Sequence, residues 1–226
     1  MLSRPFLRCT ILTLCCVVAP SVLMCQGPSG QLTILEKDGV RSADLANAVL
    51  WLEPQSAPAS LPRQTTQIAM DGKQFLPRVQ VVSTGSSVAF PNHDPFRHNV
   101  FSKAGPAEFD LGLYARGDTR QFTVARSGVY PIFCNIHAKM VAYVVSVASP
   151  YTARPGADGR FVFGAVPAGT YTLKVWHERG GQSTRIVTVA ADGPPLAVQL
   201  DARSYRFTQH KNKFGANYTM TGSERY

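Results

Sequence analysis

Cysteine is nearly absent from the body of this chain. Five cysteines occur in 226 residues, and four of them (Cys9, Cys15, Cys16 and Cys25) fall within the first 25. Only Cys134 lies beyond, so an internal disulfide framework is excluded. Acidic residues are also few: 14 Asp and Glu stand against 23 Lys and Arg, a formal charge of +9. The basic residues form no long runs and no aromatic-interleaved platforms, which argues against a nucleic-acid partner. No nucleophile elbow, paired-carboxylate motif or phosphate loop can be found. A helical apolar period is missing as well, so the chain is not a bundle.

The clustering of cysteines at the start has a simple reading. Arg4 and Arg8 form a basic head, residues 9–24 are uncharged and mostly apolar, and Gln26, Gly27 and Pro28 follow. Residues 1–25 therefore read as a signal peptide, and the expected destination is periplasmic or otherwise exported. A membrane would be met only through an uncleaved or lipidated N-terminus; the apolar stretch is short for a span and broken by Pro20. Losing Arg4 and Arg8 lowers the charge from +9 to +7. A mildly basic exported protein favours partners with an acidic patch.

What is present is β-forming sequence. Short runs rich in Val, Ile, Phe, Tyr and Thr recur at 31–36, 48–52, 78–82, 87–90, 120–124, 128–133 and 141–147. Turn signals separate them at Asp71-Gly72, Thr84-Gly85 and Ser127-Gly128, and a short helical turn is expected within 42–50. Further strands are expected over 161–163, 170–177, 184–190 and 196–200. The fold class is all-β. The expected division is a first sandwich over 28–149, a small second one over 150–200 packed on it, and a basic tail over 201–226. The tail carries Tyr205, Phe207, Phe214 and Tyr218 among its charges. It reads equally as a free end or as a strap held by those aromatics.

Chemistry concentrates at the end of one strand. Cys134, His137 and Met140 stand at spacing C-x2-H-x2-M directly after the apolar run 128–133, and His98 lies 36 residues earlier. Two imidazoles and one thiolate, with a weak axial methionine, suit an electron-transfer copper ion. A single thiol sent to an oxidising compartment is better explained as a metal ligand than as an inert core residue. Zinc is chemically possible with the same donors, although exported zinc sites seldom use a methionine. A binuclear copper centre would need two cysteines. His93 lacks the Asn-Val that follows His98 and reads as a loop residue. His177 reads as a structural, hydrogen-bonded histidine, and His210 sits in the tail without evident partners. Asp94, Asp110 and Asp118 read as turn residues.

His98-Asn99-Val100 together with Cys134-x2-His137-x2-Met140 resembles the cupredoxins, and the short ligand loop is similar to that of amicyanin. The resemblance covers roughly residues 31–148. It implies a Greek-key β-sandwich holding one type 1 copper, with His98, Cys134 and His137 equatorial and Met140 axial. It also implies that Asn99 lies beside the metal site, its backbone N–H aimed at the Cys134 sulfur and its side chain tying the two ligand loops together. Residues 158–177 resemble a carboxypeptidase regulatory-like (prealbumin-like) β-sandwich, and the two-unit order resembles exported methylamine-utilisation proteins. The expected function is a one-electron carrier, not an enzyme. Its partners would be redox proteins such as a c-type cytochrome or a dehydrogenase, and the electron would leave through His137. The alternative is a copper-binding or carrier module without an electron-transfer role.

Overall fold

Alternation of apolar and polar residues fixes which side chains each strand buries. In β7 (Ser87–Pro91), Val88 and Phe90 point inward while their neighbours are partly exposed. In β11 (Gly128–Phe133), Tyr130 and Ile132 are buried on the same parity. The next residue in that series is Cys134, which is buried in the same core. The two-residue period thus carries the thiol inward at the strand end.

The computed structural model describes residues 27–37, 39, 44–56 and 60–218. The expected signal peptide lies outside these residues. Two β-layers make up the central unit. One sheet runs β10 (Thr119–Thr123), β7, β3 (Thr65–Gln67). The other runs β6 (Val79–Ser83), β12 (Val141–Val147), β11, β8 (His98–Ser102), β9 (Phe109–Tyr114). A small hairpin of β4 (Ala69–Asp71) and β5 (Gln74–Leu76) lies beside them. Between the layers sit Ile68, Met70, Phe75, Val88, Phe90, Val100, Ile132, Cys134, Met140 and Val144. Burying an aliphatic or aromatic side chain of this kind contributes about 1.5–3 kcal/mol.

The division of the chain differs from the expected one. Strands β1 (Ser29–Leu35) and β2 (Val49–Pro54) do not join the central sheets. β1 lies between β14 (Arg160–Val162) and β17 (Leu196–Asp201), running parallel to β17. β2 lies between β13 (Tyr151–Ala153) and β15 (Gly169–His177), with β16 (Gly181–Val189) at the edge. The sheets therefore divide near residue 60 and again near 148, not at 149 alone. The central unit is an insertion between two strands of the other sandwich. The reason is energetic: the roughly fifty residues from 150 to 200 bury too little by themselves. With Leu32, Ile34, Leu50 and Leu52 from the N-terminal strands, they close a core around Leu173, Val175, Val198 and Leu200. The expected helical turn is a 3-10 turn at Leu45–Asn47, with Ser42 and Ala43 outside the described residues.

The two units share an apolar interface. Val49 and Trp51 from β2 and Trp176 from β15 pack on Val79, Val145 and Val147 of the central sheet. This explains why β2 reads as a continuous apolar run: Leu50 and Leu52 face one core and Val49 and Trp51 the other. The Tyr143 and Trp176 rings lie 5.0 Å apart. At the rim, the Arg78 guanidinium donates to both Glu178 oxygens, at 2.9 and 2.7 Å, a bidentate pairing that fixes orientation as well as distance. Among the described residues no helix is long and apolar enough to cross a membrane.

Candidate metal centre

The loop of residues 134–140 turns β11 back into β12. The Cys134 N–H donates to the Met140 carbonyl at 3.3 Å, and the Met140 N–H donates to the His137 carbonyl at 3.1 Å. These two bonds close the loop onto itself. His98 begins β8, the strand paired with β11 on the side opposite β12. The Cys134 sulfur lies 3.7 Å from His98 Nδ1 and 3.7 Å from His137 Nδ1. The three donors form one group with all separations within 4.8 Å. Bonds of about 2.0 Å to imidazole and 2.3 Å to thiolate, at angles between tetrahedral and trigonal, put neighbouring nitrogen and sulfur donors about 3.5–3.8 Å apart. The donor set fits a first-row metal ion. Met140 is buried in the same core cluster as Cys134.

The chemistry of His98 is set from behind. Its Nε2 lies 2.7 Å from Asp94 Oδ2, and both side chains are almost fully buried. An ionised carboxylate only accepts, so Nε2 carries the hydrogen and Nδ1 presents its lone pair toward the Cys134 sulfur. Burial holds the imidazole below its ordinary pKa, outweighing the attraction of Asp94. Burial by itself would raise the Asp94 carboxyl, but the Lys73 N–H, His98 and the Gly72 N–H together hold it below the usual range. The pair is therefore a neutral imidazole and a carboxylate, the protonation a metal ligand needs.

Asp94 is in turn placed by sequence-local geometry. Gly72 and Lys73 both adopt left-handed conformations, with φ of 59° and 58°. That pattern is the tight hairpin turn linking β4 to β5. It aims two adjacent N–H groups at the Asp94 oxygens, at 2.8 and 2.9 Å. Asn92 winds the loop from the other side: its Oδ1 accepts the Asp94 N–H, while its Nδ2 donates to the carbonyls of Phe96 and Tyr114. Reading Asp94 as a turn residue thus missed its second role. The signal available was a carboxylate four residues before a candidate ligand, a spacing that outside a helix has no fixed geometry.

Other assignments divide. His93 is exposed, and its backbone N–H donates to the Met70 carbonyl. His177 is buried and its Nδ1 accepts from the N–H groups of Arg179 and Gly180, a structural role as expected. Asp118 accepts the Ala115 N–H in a turn. Asn99 departs from expectation: its side chain does not join the ligand loops. Its Nδ2 donates to Asp110 Oδ1 at 2.7 Å, and its buried Oδ1 has no hydrogen-bond partner among the described residues. His210, expected to stand apart, stacks on Phe133 with ring centroids 4.0 Å apart. The tail over 205–218 is thus a strap and not a free end.

No protein-family model matches this chain, and no curated protein does. Several solved structures are similar to it over part of its length. A Cu-containing nitrite reductase from Thermus scotoductus SA-01 is 24% identical over 42% of this chain and 25% of its own, with a TM-score of 0.36. A purple cupredoxin from Nitrosopumilus maritimus is 21% identical over 36% of this chain and 99% of its own, at 0.33. Amicyanin from Paracoccus versutus is 20% identical over 43% and 97%, at 0.35. This chain spans only a quarter of the nitrite reductase. Likenesses this weak decide nothing alone, and the site rests on its own geometry.

Removing the carboxylate tests that geometry. Asp94→Ala should weaken metal binding about 10- to 100-fold, the usual effect of losing a partner behind a histidine ligand. Competition titration against a chelator measures it, with unchanged affinity the contrary result.

Proposed function

We propose that this chain is an exported type 1 copper protein of the cupredoxin kind that carries single electrons between redox proteins. The observation that carries this reading is the convergence of two imidazole Nδ1 atoms on one buried thiol, each at 3.7 Å. His98, Cys134 and His137 would be the equatorial ligands and Met140 the axial one. Copper bound there would supply a one-electron Cu(II)/Cu(I) couple. The residues supply rigidity. His98, Cys134 and Met140 are buried between packed sheets, and His98 is pinned by Asp94. A donor set that cannot rearrange suits both oxidation states equally, which keeps reorganisation small.

Access to the site runs through His137. Its Nδ1 faces the sulfur, so the opposite ring edge points outward, and the residue is partly exposed. Phe96, 38% exposed, lies 5.8 Å from it ring to ring, and Ile136 is 42% exposed. A small apolar rim around an imidazole edge suits brief docking. Cations surround it: Arg97 and Lys139 are exposed, and the Lys73 ammonium sits 5.5 Å from the Phe96 ring centroid. A redox partner with an acidic docking patch fits this face.

Copper-loaded protein should be intensely coloured through thiolate-to-copper charge transfer. Optical and electron-spin spectra of wild type and Cys134→Ser test this. Colour in the wild type that vanishes in Cys134→Ser supports the reading; a colourless wild type that takes only zinc contradicts it.

Charge steering makes a separate expectation, because exposed charges act on association rate and are screened by salt. Electron-transfer rates with an acidic partner should fall as ionic strength rises. Lys139→Glu should slow association several-fold without releasing copper. Stopped-flow rates indifferent to salt, or faster in Lys139→Glu, would assign docking to the apolar rim alone.

A further inference from the structure

The tail reaches both chain segments that carry the candidate ligands. Lys213 touches the Cys134 loop directly and reaches the His98 segment through Asp110. Its backbone N–H donates to Asn135 Oδ1 at 2.9 Å, next to Cys134. Its ammonium lies 2.7 Å from Asp110 Oδ2, whose other oxygen holds Asn99, next to His98. The Tyr218 hydroxyl donates to the Cys134 carbonyl at 2.7 Å. His210 covers Phe133, the residue before Cys134, and lies 3.2 Å from the Tyr218 oxygen through Nδ1. The polypeptide between them is curled by Asn212, whose Oδ1 accepts from the N–H groups of Phe214 and Ala216 and so turns Lys213 inward.

We infer that residues 210–218 form a clasp in which Lys213 and Tyr218 are positioning residues for the metal site, tying the His98 segment to the Cys134 loop. The inference rests on the copper reading for its redox consequence, though not for its mechanical one. Asn99 spans no gap between the two loops, since its side chain turns toward β9 and meets Asp110. The link is made instead from outside the sandwich, through the sequence Asn99–Asp110–Lys213–Asn135. These contacts are made by a segment more than seventy residues beyond the ligand loop in the chain. Tyr218 does a second thing: its O–H dipole points its positive end at the peptide that bears the thiolate. That favours the more negative, reduced state of a copper thiolate, so losing it lowers the reduction potential.

The test uses the full chain as Tyr218→Phe, Lys213→Met and Lys213→Arg, with Phe207→Ala as a control at a side chain 75% exposed. Amide hydrogen exchange of residues 135–139 is measured first on metal-free protein. Loss of one hydrogen bond of about 1 kcal/mol should speed exchange there about fivefold in Tyr218→Phe and Lys213→Met. Lys213→Arg should restore protection, because a guanidinium still reaches Asp110. Copper-loaded protein is then compared by release to a chelator and by potentiometry. Release should quicken by a similar factor, and the potential of Tyr218→Phe should fall. Loop exchange that matches wild type in both variants would overturn the clasp. Faster exchange with an unmoved potential would reduce Tyr218 to mechanical support and overturn its electronic part. A wild type that takes up no copper would sink the copper reading, while the exchange experiment would still decide the clasp.

Discussion

A charged group with almost no access to water must find its hydrogen bonds in the protein, and Asp94 is that group here. Its donors are the N–H groups of Gly72 and Lys73 and the Nε2 of His98. Meeting them sets the surrounding structure. The hairpin turn must hold two consecutive left-handed residues, one of them not glycine. The loop after β7 must wind around the buried side chain of Asn92. His98 must then turn its remaining nitrogen toward Cys134. Without the carboxylate, the imidazole could sit in either tautomer and the metal would have to select one at binding.

Rigidity of the site extends beyond the central unit. β12 follows the ligand loop and is covered on both faces. Ala142 and Val144 face the core that holds Cys134, while Val145 and Val147 face the second sandwich. The second sandwich therefore acts as a backing plate to the strand that ends the metal loop. Because β1 and β2 precede the insertion and β13 follows it, both ends of the central unit are fixed in one scaffold. A unit anchored at both ends on an apolar interface has little freedom to swing.

The grouping of His98, Cys134 and His137 was legible because it depends on residue type and spacing along one strand and one loop. Cys134 continues the buried parity of Tyr130 and Ile132, and His137 and Met140 follow at short range. Most strands were legible for the same local reason. What could not be read depended on distant partners. The side chain of Asp94 looks like that of any turn aspartate until the β4–β5 hairpin and His98 are placed around it. Asn99 carries the motif expected of a tie between loops, yet Asp110 on the neighbouring strand claims its amide. β1 and β2 have the local pattern of strands, but their pairing with β17 and β15 spans more than a hundred residues. The tail's polar composition conceals a strap, since three of its contacts with the site are single hydrogen bonds and ring faces and not an apolar stripe.

X-ray absorption at the copper edge, recorded on the oxidised and then the reduced protein, tests the central claim most directly. The account predicts one short sulfur and two imidazole nitrogens in the first coordination sphere, nearly unchanged on reduction because the donors are held by buried, hydrogen-bonded residues. A sphere of oxygen and nitrogen without sulfur, or one that gains or loses a ligand on reduction, would contradict it.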